Sequence, residues 1–167
     1  NVLAGIISGE ADFAITFMGS QVPGVAFEVI QSDPFVLALP REHPLARRKR
    51  IAWAELAEQP LIGVARSSGN RQLLDDALAR AGLDPAYRFE VSHIATLLGM
   101  VEAGLGLAAV PKLALPRAHA GLAGVPLHNP VVSRELGLAT RHGATLSPPA
   151  RMFHDHLRAA LRPRAAG

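Results

Sequence analysis

Cysteine is absent from the 167 residues, which excludes disulfides, thiol nucleophiles and Cys-ligated zinc together. Its absence also fits a cytoplasmic protein. No apolar run approaches the roughly 20 residues that a membrane helix needs, and Val36–Leu39 and Leu105–Val110 are strand-length instead. Charged residues are few, 19% against 49% hydrophobic, so the chain is globular and can bury a real core. The net charge is only +3, and the basic residues are scattered except for one run, Arg47–Arg50. No aromatic residue interleaves that run, so a solvated turn is the plainer reading beside a phosphate-binding patch. There is no initiating Met and no signal-type segment, and Asn1 reads as the interior of a helix, so the chain is expected to be a fragment.

What is present is strand and helix in alternation, punctuated by 15 Gly and 13 Pro. Val2, Leu3, Ile6 and Ile7 recur at helical spacing and stop at Gly9. Asp12–Phe17, Val25–Ile30 and Phe35–Leu39 read as strands, the second after a Pro23-Gly24 turn. A short helix over Trp53–Ala57 ends at Pro60, and a buried strand follows over Leu61–Ala65. Helices are predicted over about 70–81 and 93–103, with Gly82 and Gly104 as stops, and strands over Tyr87–Val91 and Leu107–Val110. Leu136–Thr140 is the predicted return strand. Ser147-Pro148-Pro149 begins a last helix whose apolar face is Met152, Phe153, Leu157, Ala160 and Leu161. The tail after Leu161 is expected to fray.

The alternation implies α/β structure with largely parallel sheets. The segment Asp33–Ala46 and the later Gly104–Pro111 describe a chain that leaves one α/β lobe and builds another. A cleft between two lobes is a place to hold a small molecule.

In order and spacing, Gly9–Ile15, Asp33-Pro34-Phe35, His43–Ala46, Leu56 with Gln59–Ile62, Val101–Gly106, Pro111 and the closing helix resemble the effector-binding domain of LysR-type transcriptional regulators. The resemblance implies a periplasmic-binding-protein type II-like fold, two α/β lobes joined by two crossing strands near Phe35–Leu39 and Leu136–Thr140. Lobe one is then residues 1–38 plus 140–167, lacking the family's first strand and most of its first helix, and lobe two is 39–139. A partner chain covering that gap, or partial disorder of lobe one, is expected. The resemblance further implies a homodimer or higher homo-oligomer, and DNA contact only through an N-terminal domain that this sequence lacks.

Three groups of residues are candidates for effector binding. Ser67, Ser68, Gly69 and Asn70 pass from a strand into a helix, where free N–H groups favour an acid group; plain N-capping is the alternative. Ser92 and His93 occupy a similar junction and carry the same alternative. The family's turn at the first junction faces the cleft, and a polar residue near the second often touches effector. Thr16, Phe17 and Met18 end a strand, and the C-terminal ends of parallel strands line ligand crevices. Phe17 either packs its lobe or offers its ring to an apolar or aromatic portion of the effector.

Other chemistries lack their residues. Gly104–Ala109 matches G-x-G-x-x-A, but a helix precedes it and a strand follows, the reverse of a dinucleotide site. His154 and His156 are two apart on a helix and diverge, so no metal is expected. Neither serine turn fits a nucleophile elbow, and Asp75-Asp76 beside Arg71 and Arg80 reads as a solvated face. The expected function is therefore non-enzymatic, without cofactor and away from the membrane: sensing of an organic acid or amino acid. The runner-up is a periplasmic solute-binding protein of a transporter, and an enzyme on the same fold is third.

Overall fold

The structure, a computed structural model, describes residues 2–18, 22–116 and 121–161. Asn1 and the tail 162–167, on which the sequence carried expectations, lie outside the described residues. The chain forms two compact units, one from residues 1–32 and 134–167, the other from 33–133. The division falls at Ser32/Asp33 and Ser133/Arg134, where the sequence reading placed it at 38/39 and 139/140.

The first unit holds α1 (Val2–Ser8), β1 (Phe13–Met18), the first half of β2 (Val25–Pro40), all but the first residue of β8 (Ser133–Arg141) and α4 (Pro148–Leu161). Gly9 stops α1 at a φ of 82°, in the left-handed region that other residues avoid. Strand β8 lies between β1 and β2, and it pairs antiparallel with β1 from Phe13↔Thr140 to Met18↔Glu135. The expectation of largely parallel sheets is corrected here, because β8 returns alongside β1 in the opposite sense. At α4, Ser147 Oγ accepts the Ala150 N–H at 3.4 Å, the cap the Ser-Pro-Pro pattern predicts. The predicted apolar face of α4 is only partly used: Met152 is 76% and Phe153 58% exposed. Phe13 meets Phe153 and His154, with ring centroids 5.8 and 5.5 Å away.

The second unit begins inside β2. The sequence suggests two strands there, but one 16-residue strand runs through Asp33-Pro34. Proline is tolerated because β2 changes partners around it: β8 lies beside β2, and β6 (Ala108–Pro111) and β7 (Leu122–His128) pair from Phe35 onward. Asp33 is fully buried, and its Oδ1 accepts the Leu113 N–H at 2.9 Å.

Beyond Pro34 the strand alternates with period two and both faces are covered. Phe35, Leu37 and Leu39 point into one core with Leu74 and Leu78 of α2 (Gly69–Arg80). Val36 and Ala38 point into a second with Leu97 and Val101 of α3 (Ile94–Glu102). The short β3 (Ile51–Ala52) pairs parallel with β7. Strands β4 (Leu61–Val64) and β5 (Tyr87–Val91) form a separate parallel pair.

Gly104 ends the α3 segment at a φ of 76°. Gly106 is required for a different reason: a Cβ there would strike the carbonyl oxygen of Pro60.

Candidate functional site

Two of the three predicted groups are brought together. Val64 and Val91 are register partners at the C-terminal ends of β4 and β5, and the Ala65 N–H reaches the Val91 carbonyl at 2.8 Å. The Ser67–Asn70 turn and the Ser92-His93 turn therefore leave the same end of one parallel pair, and each leads directly into a helix. Ser68 is the N-cap of α2 and His93 that of α3, both in extended backbone geometry, and neither side chain makes a cap hydrogen bond. The capping alternative thus does not account for these two side chains. Ser67, Gly69, Ser92 and His93 are exposed, Ser68 and Asn70 half-buried. The turn is set by backbone bonds instead, Ser68 N–H to Ala65 and Gln72 N–H to Ser68. The first-turn amides of two helices that both start at this end make it attractive to an anion.

The third group stands apart from these in the chain's organisation, because Thr16, Phe17 and Met18 belong to the first unit. They end β1, opposite Gly137, Leu136 and Glu135. That strand is antiparallel to its neighbour, so the rule of parallel strand ends does not apply to it. Phe17 is 38% exposed, and the Arg134 guanidinium lies 3.4 Å from its ring centroid. The side chain of Met18 lies outside the described residues.

Sequence reasoning missed the group beneath the serine turns. Arg71 is 4% exposed. Its Nε donates to both Asp75 carboxylate oxygens at 2.8 Å. Its Nη1 donates to the Val64 carbonyl at 3.2 Å and to Glu90 at 3.0 Å. The guanidinium lies 3.9 Å from the Tyr87 ring centroid. One residue therefore ties α2 to β4 and β5 directly below the turns. Burial works against the charge, but hydrogen bonds to Asp75 and Glu90 outweigh it and hold the Arg71 pKa above its ordinary value. Asp75, read as part of a solvated face, does keep 42% of its side chain exposed, but it is also the partner of a buried cation, and the Arg-x-x-x-Asp spacing was the available signal. Arg66 was also missed. It directly precedes the two serines, is 82% exposed in its side chain, and stands 3.8 Å from Glu90.

A groove of about 460 Å³ in the first unit holds none of the predicted residues; Phe27, Glu28, Thr140, Arg151, His154 and Asp155 help to line it. Its polar groups are engaged with one another, Glu28 pairing with Arg158 and the His154 ring contacting Asp155, so it is a weaker candidate than the twin turns. Among the described residues no His, Asp or Glu cluster could hold a metal ion, and no helix is long and apolar enough to cross a membrane.

The family model of the LysR substrate binding domain matches residues 1–162. The chain belongs to this family. It is 41% identical over 154 residues to the HTH-type transcriptional regulator YbhD of Escherichia coli K12, covering 92% of this chain and 49% of YbhD. The chain thus spans about half the length of the curated relatives it matches. The CcmR regulatory domain of Synechocystis PCC6803, solved in complex with 2-PG, superposes with a TM-score of 0.83 at 21% identity, over 99% of this chain and 80% of that one. The effector binding domain of QuiR, solved in complex with shikimate, gives 0.79 at 22%, over 96% and 76%. The fold is the type II periplasmic-binding-protein-like α/β fold of LysR regulatory domains. As a LysR effector-binding domain the chain sits in a family of transcriptional regulators, not one of enzymes, and the transporter alternative is not favoured.

Proposed function

We propose that this domain senses an organic acid or amino acid, and that the acid group is held at the twin turns Ser67–Asn70 and Ser92-His93. The observation that carries the reading is the placement of two uncapped helix starts at one end of the β4–β5 pair. The N–H groups and dipoles of α2 and α3 favour a carboxylate there, the serine hydroxyls supply further donors, and Arg66 supplies a cation. Thr16, Phe17 and Met18 contribute an apolar contact in the first unit. The protein acts without catalysis, in the cytoplasm, as a homo-oligomer whose DNA contact comes from a helix-turn-helix segment of the kind YbhD is named for. Effector binding shifts the populations of the regulator's conformations, by no more than its differential affinity for them.

The test is calorimetric titration of the chain with aromatic, dicarboxylic and amino acids. An acid ligand should bind at least about tenfold more weakly to the S68A/S92A variant, the loss of roughly 1.4 kcal/mol expected of a charge-assisted hydrogen bond. S147A, which removes the cap of α4 in the first unit, should leave its affinity unchanged. An acid that binds S68A/S92A as tightly as the parent chain refutes the assignment.

A further inference from the structure

We propose that the Arg47–Arg50 loop is a second contact surface, a sequence-independent seat for the phosphate backbone of duplex DNA. This inference does not rest on the effector reading. Arg47, Arg48, Lys49 and Arg50 are consecutive, and all four are exposed.

The way the loop is held distinguishes it from a merely solvated turn. On its N-terminal side, Pro44–Arg47 form a 3-10 turn entered at His43, whose Nδ1 accepts the Leu45 N–H at 3.2 Å. Leu45 and Ala46 pack against the core of the second unit. The Arg48 N–H closes the turn on the Leu45 carbonyl at 3.1 Å. On the C-terminal side Ile51 is fully buried and is the register partner of Leu127 in β7. The run is pinned at both ends, so little backbone ordering is left for binding to impose.

Its charge is also largely uncompensated. Glu55 takes Arg48 at 3.2 Å, while among the described residues no carboxylate pairs with Arg47, Lys49 or Arg50. Single-stranded nucleic acid calls for aromatic platforms as well as charge, and the run has none. Duplex phosphates call only for cations. A duplex presents one charge per about 1.7 Å of axis, which suits three cations in four residues better than an irregular acidic polypeptide does.

The experiment is fluorescence anisotropy of the 167-residue chain with a labelled random-sequence duplex of about 30 base pairs, across about 50 to 200 mM salt. Three neutralised phosphates give a log–log slope of roughly −2.7, so binding should weaken about 40-fold over that range. R47Q/K49Q/R50Q should abolish this salt-dependent binding. R80Q/R88Q/K112Q, which removes the same charge elsewhere, should retain it. K49E should weaken binding more than K112E, a comparison that stands even if a triple variant folds poorly. No duplex binding at the low-salt end overturns the proposal. So does equal loss in the two triple variants, which would mark a net-charge effect, or binding to polyglutamate without binding to duplex.

Discussion

Tyr87 is the only tyrosine of the chain, and its hydroxyl is buried without a hydrogen-bond partner among the described residues. Burial pushes its pKa up to about 12 from 10.0, against the opposing pull of the Arg71 cation. The folded state therefore holds the proton more tightly than the unfolded chain. The stability this represents is complete below pH 10 and is lost as pH rises from 10 to about 12. Two pKa units correspond to about 2–3 kcal/mol. Y87F should remove that alkaline loss while keeping the ring under Arg71, and it should not destabilise the fold at neutral pH, because an unsatisfied buried hydroxyl contributes nothing favourable. Absorbance titration of the tyrosinate, unambiguous with one tyrosine, checks the pKa, and urea melts at pH 8 and about pH 11 check the linkage. A tyrosinate appearing at pH 10 would sink the idea. The serine and histidine positions were legible in the sequence because a strand-to-helix junction announces itself locally. Arg71 was not, since its burial depends on Gly63, where a Cβ would come within 2.7 Å of the Tyr87 ring and 3.0 Å of the guanidinium. No window around Arg71 contains that constraint.

At the scale of elements, every predicted helix forms, with ends shifted by a residue or two, because caps and glycine stops act locally. The strands were less legible. Strand β7 escaped the reading because Pro126 sits between Val125 and Leu127, buried on one face, and Leu122 is buried on the other, so no simple alternation shows. Strand direction escaped it too, for pairing sense is decided by which segment returns alongside which. Glycine shows the same split between local and distant causes. A Cβ added at Gly69 would meet nothing within 4 Å, and the φ there is not in the left-handed region. Gly106 would drive a Cβ into the Pro60 carbonyl, which accepts the Leu107 N–H at 2.9 Å, and to within 2.9 Å of Ile62 Cγ1. G106A should therefore cost about 1–3 kcal/mol, as overpacking against backbone does. G69A should stay within about 0.5 kcal/mol. Urea unfolding followed by Trp53, which lies in the same unit and donates from Nε1 to Pro130 at 3.1 Å, measures both. Equal stability of the two variants would remove close approach as the reason for the second glycine of Gly104-Leu105-Gly106.

The two units differ sharply in what they bury. The second owns both hydrophobic cores, running from Phe35 to Val132. In the first, the buried apolar side chains among the described residues are Ile6, Leu138 and Ala139, while Val2, Ile7, Ile15, Val29, Met152 and Phe153 are exposed. Buried apolar area is the main favourable term in folding, so the first unit should open at lower free energy, as a separate cooperative step. Two probes separate the steps. Among the described residues α1 and α4 carry 7 and 14 residues, against 12 and 9 for α2 and α3, so each unit supplies half of the described α-helix, which circular dichroism follows. Trp53, the only tryptophan, reports the second unit alone. In a urea titration about half of the helical ellipticity should vanish before Trp53 emission moves, and amides of β1 and α4 should exchange with solvent faster than those of β2 beyond Pro34. Coincident curves from the two probes would mean that β2 and β8, the strands in which the chain passes between the units, make the whole domain fold as one.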